Sequence, residues 1–252
     1  MIPSAVLEGF GLAGEPVALD GGEGTSVLIG GVVCKPVLDS AVAQWCQAVA
    51  AVGSHADFRF PEPVPARDDS FVVDGWTASL FIPGLRSLHD QPATVVGLAD
   101  AVTTALTATT NPLPARTDRW ARGIDVAYGA AATLRPEAVD LLRTLLDPCG
   151  PPPDRHAVVH ADLTGNTFVD PAGQPVVLDL SPARATAGFA PAVVIADHLL
   201  WHDGDTRLAT LVDPVDLHRA LAFRLVAEQL AADPRHGARL DDYRAVLSRI
   251  TP

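Results

Sequence analysis

Strand patterns are concentrated in the first third of the 252-residue chain, whereas helical patterns fill most of the remainder. The segment GTSVLIGGVVCKPV has two short apolar runs on either side of Gly30 and Gly31, which predicts a β-hairpin. Residues 40–52 have helical spacing, and Ser40 is of a type common at the N-cap. The segment SFVVDGWTASLFIPG predicts two more strands around its central Asp-Gly pair. We therefore expect a β-rich first part with one helix.

Six later segments have helical periodicity. They are ATVVGLADAVTTALTA, DRWARGIDVAYGAAA, PEAVDLLRTLLD, PAVVIADHLLWHD, PVDLHRALAFRLVAEQLAAD and LDDYRAVLSRI. Between the third and the fourth, VHADLTGNTFVDPAGQPVVLDLS predicts a loop, a strand, a turn at residues 171–173 and another strand. These patterns predict an α+β fold, with a small β-rich N-lobe at residues 1–83 and a larger, mainly helical C-lobe at residues 84–252.

Composition excludes several classes of protein. The chain is 48% hydrophobic and 19% charged, which is typical of a globular protein. Its net charge of −12 argues against a nucleic-acid partner, because binding to phosphate backbones depends on basic surface. No uncharged apolar run is long enough to span a membrane, and the N-terminus lacks the basic region of a signal peptide. Cys34, Cys46 and Cys149 have no metal-like spacing, and their odd number fits a reducing compartment, so we expect a cytoplasmic protein.

The segments HADLTGN and VVLDLS have the residue types that phosphoryl transfer requires. They contain Asp162, then Asn166 four residues later, and Asp179 on the far side of a predicted hairpin. Phosphoryl transfer needs an oriented acceptor hydroxyl, metal ions held by oxygen ligands, and neutralised phosphate charge. One carboxylate that faces the hydroxyl and an Asn/Asp pair that holds the metal would meet the first two needs.

Lys35 could meet the third need. It is the only lysine in the chain, because the other 17 basic residues are arginines. A lysine ammonium is a compact charge with rotatable donors, and the planar fork of arginine does not replace it at a phosphate. The alternative is that one lysine codon has survived by chance in a GC-rich gene. Together with HADLTGN, the lone lysine indicates function.

The pattern HADLTGN…VLDLS resembles the catalytic and metal-binding segment of the aminoglycoside phosphotransferase family, in the protein-kinase-like superfamily. The similarity covers nearly the whole chain: GGEGTS resembles the glycine-rich phosphate loop, VVCKP the strand of the nucleotide lysine, and SLFIPGLRSL the hinge that pairs with adenine. More narrowly, the chain resembles a short actinobacterial branch with a shortened catalytic loop and a D-x-S-P segment. The resemblance implies a two-lobed protein-kinase-like fold.

The resemblance also implies a role for each residue. Asp162 would orient the acceptor hydroxyl or accept its proton, and His160 would tie the catalytic loop in place by hydrogen bonds. Asn166 and Asp179 would hold Mg²⁺. Asp197 would brace the loop from a later helix. The residues that would bind ATP or GTP are Lys35, Gly22, Gly24, Thr25, Ser26, Ser79 and Phe81.

Two departures from the family pattern bear on activity. Asp162 and Asn166 are four residues apart instead of the common five, and Gly165 could allow the tighter loop that this requires. The family usually pairs its lysine with a glutamate on the next helix, but residues 40–55 contain no acidic residue. Gln44 is the nearest polar candidate, and Asp39 precedes the helix.

We therefore predict a Mg²⁺-dependent phosphotransferase that moves the γ-phosphate of ATP or GTP in line to a hydroxyl of a small metabolite or antibiotic-like molecule. The alternative is a nucleotide-binding pseudokinase that serves as a sensor or partner protein, which the missing glutamate and the short loop favour. A third hypothesis is a metal hydrolase, since His198 and His202 share a helix face, but HLLWH lacks the glutamate of metalloproteases. The sequence leaves the acceptor, the base and the oligomeric state open.

Overall fold

The computed structural model describes residues 2–19, 25–52, 55–202, 204–232 and 239–250, which form two compact units. Unit 1 comprises Met1–Ser87, Thr109–Ala115 and Phe168–Leu180. Unit 2 comprises Leu88–Ala108, Arg116–Thr167 and Ser181–Pro252. Neither unit is continuous along the chain, and the expected boundary between residues 83 and 84 stays a prediction.

Nine strands and eight α-helices are present in the described residues. The strands are β1 (Val17–Ala18), β2 (Val27–Ile29), β3 (Val32–Pro36), β4 (Trp76–Leu80), β5 (Arg86–Ser87), β6 (Ala157–His160), β7 (Thr167–Val169), β8 (Pro175–Val177) and β9 (Pro182–Ala185). The helices are α1 (Ser4–Phe10), α2 (Ser40–Ala50), α3 (Pro92–Thr107), α4 (Arg119–Ala127), α5 (Pro136–Leu146), α6 (Phe189–Trp201), α7 (Pro214–Gln229) and α8 (Leu240–Ile250). This content confirms the predicted α+β class.

Unit 1 contains an antiparallel sheet in the order β1-β2-β3-β4. The predicted hairpin is present: Gly30 and Gly31 connect β2 to β3 with φ angles of 56° and 86°. Two consecutive positive φ angles are typical of the tightest hairpin turns, and glycine adopts them without a Cβ clash. The glycine pair therefore sets the register of β2 against β3, the inner strand that carries Lys35.

The structure corrects three details of the predicted N-terminal part. The side chain of Asp39, not Ser40, caps α2, because it accepts hydrogen bonds from the N–H groups of Ala41 and Val42. Of the two strands expected around Asp74 and Gly75, only β4 forms, and Val73 makes a single bridge to its first residue. Helix α1 was not predicted, since its seven residues are too few for a clear helical period.

Unit 1 also contains a second sheet in the order β5-β7-β8. A turn joins β7 to β8: the Gly173 N–H donates to the Asp170 carbonyl at 2.9 Å, and the Asp170 side chain accepts from the N–H groups of Ala172 and Gln174. The predicted strand, turn and strand are therefore confirmed. Asp179 follows β8 by two residues.

Unit 2 is mainly helical, and all six predicted helices of this region are present. Proline occupies the first turn of α3, α5 and α7, where its missing N–H costs no hydrogen bond. Helix α6 is buried on every side from Phe189 to Leu200, which explains its predominantly apolar sequence. None of the helices described has the length and apolar character that crossing a membrane requires.

Strands β6 and β9 pair antiparallel in unit 2, and neither was among the predicted elements. All four residues of β6 are buried, so the strand has no alternation of apolar and polar residues to reveal it. Strand β6 ends at His160, and the loop ADLTGN at residues 161–166, which carries Asp162 and Asn166, begins directly after it. This pairing anchors the start of the loop.

Candidate active site

Lys35 is paired with Asp179 in unit 1. Its Nζ lies 2.5 Å from Oδ2 of Asp179, a contact between residues 144 positions apart in the chain. Lys35 lies opposite Thr77 in the β3–β4 ladder. The side chains of Lys35 and Asp179 are 37% and 46% exposed, so both remain accessible to a ligand. The sheet and the segment after β8 thus bring together two of the residues singled out in the sequence.

The backbone of Asp179 has an unusual conformation. Its φ angle is 45°, in the left-handed region that residues other than glycine adopt only rarely and that aspartate tolerates better than most. Such backbone positions cluster at functional sites, because the rest of the structure has to hold them. The conformation of Asp179 is therefore a second feature, besides its pairing with Lys35, that marks this position.

Gln44 on α2 has a different partner. Its Oε1 accepts a hydrogen bond from the Phe71 N–H at 2.8 Å, which ties α2 to the loop before β4. The cation of Lys35 is instead compensated by Asp179. The carboxylate that pairs with Lys35 thus comes from a segment distant in the sequence and not from α2.

Cys34 and Lys35 illustrate the alternation of side chains along β3. Cys34 is completely buried, and burial raises the pKa of its thiol to about 11. Since neighbouring residues of a strand point to opposite faces, the Lys35 side chain is directed away from this core. The Cys34 thiol is therefore a packing group and stays protonated at neutral pH.

The structure describes only some of the residues that were expected to bind the nucleotide. Gly22 and Gly24 lie outside the described residues. Thr25 is exposed and Ser26 is half-buried, directly before β2, and the Ser26 carbonyl accepts from the Leu19 N–H at 3.0 Å. These positions stay predictions.

Ser79 and Phe81 lie at the end of β4. Ser79 is opposite Val33 in the sheet and makes an isolated bridge to Pro63 on its other side. The Phe81 N–H donates to the Gly31 carbonyl at 2.9 Å, and its side chain is 40% exposed. The ring is thus exposed to solvent, and its contact with a base stays a prediction.

In unit 2, His160 fixes the start of the loop after β6. The side chain is completely buried, and its Nδ1 accepts a hydrogen bond from the Asp162 N–H at 3.1 Å. The N–H of the intervening Ala161 donates to the Ser181 carbonyl at 2.9 Å. Because successive backbone groups are held in this way, the loop leaves the strand in one direction.

Asn166 closes the short loop. Its Nδ2 donates to the backbone carbonyl of Asp162 at 2.8 Å and to Oδ2 of Asp162 at 3.1 Å. The Asn166 N–H donates to the Leu163 carbonyl at 3.0 Å, which makes a tight turn. Gly165 is not in the left-handed region, and a Cβ there would meet no atom within 4 Å, so the short loop does not require a glycine. The four-residue spacing is accommodated by hydrogen bonds instead.

Arg224 is the main residue of this region that the sequence reasoning missed. It lies on α7, and its Nη2 donates to Oδ1 of Asp162 at 2.8 Å and to Oδ2 of Asp197 at 2.7 Å. Thr164 also donates to Asp197, at 2.9 Å. The available signal was the arginine inside ALAFRLVAE, since a charge at an apolar helical position indicates a buried partner. Nothing local to α7 identified that partner.

The three charged side chains Arg224, Asp162 and Asp197 differ in their exposure to solvent. The side chains of Arg224 and Asp197 are each 3% exposed, whereas that of Asp162 is 46% exposed. Burial acts to raise the pKa of Asp162, but the charge and hydrogen bond of Arg224 outweigh it, and the pKa lies below its ordinary value. Burial raises the pKa of Asp197 although Arg224 and Thr164 act in the opposite direction. Asp162 is therefore an ionised and accessible carboxylate.

The histidines considered for a metal hydrolase pack together at the end of α6. The ring centroids of His198 and His202 are 5.1 Å apart, and His89 lies 6.0 Å from His202. Burial lowers the pKa of His198. Within the described ranges, no group of three or more His, Cys, Asp or Glu side chains is arranged to hold a metal ion. The zinc hypothesis therefore has no supporting cluster there.

Known structures with the same fold cover nearly the whole chain. An aminoglycoside phosphotransferase from Alicyclobacillus acidocaldarius matches with a TM-score of 0.57 and 14% identity, over 99% of this chain and 92% of that one. The choline kinase LicA from Streptococcus pneumoniae matches with a TM-score of 0.56 and 8% identity, over 94% and 92%. A structure of LicA in complex with AMP matches with a TM-score of 0.52 and 9% identity, over 93% and 90%.

These matches confirm the predicted protein-kinase-like fold and the expected resemblance at the level of the fold. No protein-family model matches the chain, and no curated protein matches it by sequence. At identities this low the likeness shows the fold alone.

Proposed function

We propose that this protein is a phosphotransferase that moves the γ-phosphate of ATP or GTP directly to a hydroxyl of a small molecule. The observation that carries the proposal is the Asp162 carboxylate, which is held by Arg224 and Asn166 and is still 46% exposed. A carboxylate that is both oriented and accessible suits the group that positions an acceptor hydroxyl. Asp162 would accept the proton of that hydroxyl while the oxygen forms the new bond to phosphorus and the nucleoside diphosphate leaves.

Lys35 and Asp179 would act on the nucleotide in the same reaction. Lys35 would contact the phosphates as a point charge, together with Thr25, Ser26 and the backbone near Gly22 and Gly24. Binding of the nucleotide would require Lys35 to exchange its contact with Asp179 for phosphate oxygens, at an accessible position where ion pairs are weak. Ser79 and Phe81 would contact the base.

The side chains of Asn166 and Asp179 fit the needs of Mg²⁺. Amide and carboxylate oxygens are the ligands that this ion prefers, and Asn166 donates from its Nδ2 to Asp162, so its Oδ1 could coordinate the ion. When bound, Mg²⁺ supplies positive charge that offsets the charge of the phosphates. His160 and Asp197 would act by holding the loop, His160 through the Asp162 N–H and Asp197 through Thr164 and Arg224.

The acceptor is proposed only as a class, a small molecule with a hydroxyl group. The similar structures include enzymes named for aminoglycosides and for choline, so this fold serves acceptors of different shape. The acidic net charge of −12 is compatible with cationic acceptors but does not select them.

The test is a coupled assay of nucleotide consumption with sugars, amino sugars, amino alcohols and macrolides as acceptors, followed by mass spectrometry of the phosphorylated product. We expect Asp162→Ala to lower kcat by about 10²- to 10⁴-fold, the usual contribution of a general base. Nucleotide binding should persist in this variant. Asp140→Asn is the matched control, since Asp140 is an exposed carboxylate that pairs with Arg143 on α5.

Turnover that is undiminished in Asp162→Ala would contradict the mechanism. Binding of Mg-nucleotide without transfer to any acceptor would favour the pseudokinase alternative instead.

A further inference from the structure

Arg224 bonds both to a buried carboxylate on α6 and to the proposed catalytic loop. Its Nε donates to Oδ1 of Asp197 at 2.7 Å, and its Nη2 donates to Oδ2 of the same carboxylate at 2.7 Å. These two bonds already compensate the buried pair. The third bond, from Nη2 to Oδ1 of Asp162 at 2.8 Å, reaches a carboxylate whose side chain is 46% exposed and is therefore partly solvated by water.

Aromatic rings hold the guanidinium group in place. Its central carbon lies 5.2 Å from the ring centroid of Trp120, 5.4 Å from that of Trp201 and 4.9 Å from that of Phe223. Stacking against aromatic faces restricts a planar cation, and the bidentate bond to Asp197 fixes its rotation within the plane. The Nη2 that faces Asp162 therefore has a defined position.

The consequence for Asp162 is a fixed carboxylate plane. Oδ1 accepts from Arg224, and Oδ2 accepts from Nδ2 of Asn166 at 3.1 Å. Each carboxylate oxygen has two lone pairs, so one on each oxygen remains for a ligand on the exposed side. Two donors from different elements, α7 and the loop, thus determine the direction in which the remaining lone pairs point.

We propose that Arg224 is a positioning residue for phosphoryl transfer, which holds the Asp162 carboxylate in the orientation that receives the acceptor hydroxyl. This inference rests on the proposed function, because the orientation matters only if Asp162 meets an acceptor. Arg224 itself does not touch the substrate, since its side chain is 3% exposed. It acts on kcat through Asp162, and binding of the nucleotide does not depend on it.

The first experiment compares Arg224→Lys with Arg219→Lys. Lysine keeps the charge but lacks the fork that reaches two carboxylates at once. Arg219 is the matched control, because it is an equally buried arginine on α7 whose bonds go to the carbonyls of Ala127 and Cys149. We expect Arg224→Lys to lower kcat about 10- to 100-fold, the effect of a small misplacement of a reacting group, with the KM for nucleotide within about 3-fold of wild type.

We expect Arg219→Lys to keep the wild-type kcat while its melting temperature falls about as far as that of Arg224→Lys. Wild-type kcat in Arg224→Lys, or an equal loss of kcat in both variants, would overturn the proposal.

A double-mutant cycle separates positioning from a general structural effect. If Arg224 acts through Asp162, adding Arg224→Lys to Asp162→Ala causes no further loss of the residual transfer rate. A further loss as large as that in the wild-type background would mean that Arg224 acts elsewhere, and the proposal would be wrong.

A second variant covers the case in which Arg224→Lys does not fold. The double substitution Arg224→Met with Asp197→Leu replaces the buried Arg224–Asp197 pair by apolar side chains, a change that proteins often tolerate. Asp162 loses Arg224 but keeps its bond from Asn166, and its side chain is 46% exposed to water. We expect a folded protein, by near-UV circular dichroism, with kcat reduced at least 10-fold. Full kcat in this folded variant would overturn the proposal.

Crystal structures test the orientation of Asp162 separately from the proposed function. Should the wild-type protein transfer phosphate to no acceptor, the orientation of Asp162 can still be compared between the wild type, Arg224→Lys and Arg219→Lys. A carboxylate that turns away only in Arg224→Lys would support the positioning role. An unchanged carboxylate would refute it independently of any activity.

Discussion

Glu228 lies one helical turn after Arg224 on α7, and its carboxyl group has a pKa well above the ordinary value for glutamate. Burial raises the pKa of its carboxyl from 4.5 to about 7, although the Tyr243 hydroxyl donates to Oε2 at 3.0 Å and Arg224 acts in the same lowering direction. Tyr243 comes from α8, so this hydrogen bond joins the last helix to α7. The Glu228 carboxyl therefore makes the stability of unit 2 depend on pH between 4.5 and about 7.

The sign of that linkage follows from proton binding. Between pH 4.5 and about 7 the folded chain keeps the Glu228 proton and the unfolded chain has lost it, so the free energy of unfolding falls as the pH rises. Below pH 4.5 the contribution is fully present, and above about 7 it is gone. We expect chemical denaturation of the wild type to show this fall and Glu228→Gln to lack that part of it.

The matched control is Glu137→Gln, which changes an exposed carboxylate in the first turn of α5. The control should follow the wild-type pH dependence. Identical slopes for the wild type and Glu228→Gln between pH 4.5 and 7 would contradict the prediction.

At the scale of the element, the hairpin of β2 and β3 determines the direction of the strand that carries Lys35. Gly31 has a φ angle of 86°, and a Cβ built on it would meet no atom within 4 Å. The glycine is thus required by backbone conformation and not by space. Gly97 in α3 provides the contrast, since a Cβ there would also meet no atom within 4 Å, but its φ is outside the positive range.

Because of this difference, we expect replacement by alanine to have opposite effects on stability at Gly31 and Gly97. We expect Gly31→Ala to lower the free energy of unfolding by about 1 kcal/mol, the cost of a left-handed backbone with a side chain. Gly97→Ala should raise it by about 0.5–1 kcal/mol, because alanine has the higher helix propensity. Urea denaturation of both variants measures these differences, and a stabilising Gly31→Ala would contradict the assignment of the turn.

At the scale of the whole molecule, each of the two units carries part of the proposed machinery. Lys35 and Asp179 belong to unit 1, and Asp162, Asn166, Asp197 and Arg224 belong to unit 2. Function therefore has to be measured on the full chain, because either unit alone lacks residues that the proposed reaction uses.

Ligand binding gives the whole-molecule prediction. Mg-nucleotide at 100 times its dissociation constant should raise the free energy of unfolding by about 2.7 kcal/mol, because it binds only the folded chain. We expect the melting temperature to rise with Mg-nucleotide, to change little with Mg²⁺ alone, and to respond less in Lys35→Met. Differential scanning fluorimetry with ATP and with GTP measures these melting temperatures and shows which nucleotide stabilises the protein more. An unchanged melting temperature with both nucleotides would count against a nucleotide site.

The features predictable from sequence were those that depend on near neighbours. The hairpin was predictable because only glycine takes two positive φ angles cheaply, and the six helices of unit 2 because apolar residues recur at the helical period. The cap of α2 was misassigned by one residue, since both Asp39 and Ser40 are suitable caps. Strand β6 was missed because a fully buried strand has no alternation to detect.

The sequence by itself determined the α+β class and the order in which Lys35, Asp162, Asn166 and Asp179 occur along the chain. Only the tertiary structure decided which charges meet: Asp179 compensates Lys35 across 144 positions, and Arg224 joins Asp162 to Asp197 from another helix. The physical reason is the distance along the chain over which the interactions act. Turns and helices follow from forces within a few residues, whereas the partner of a charge depends on how distant segments pack, and no local pattern in the chain encodes that packing.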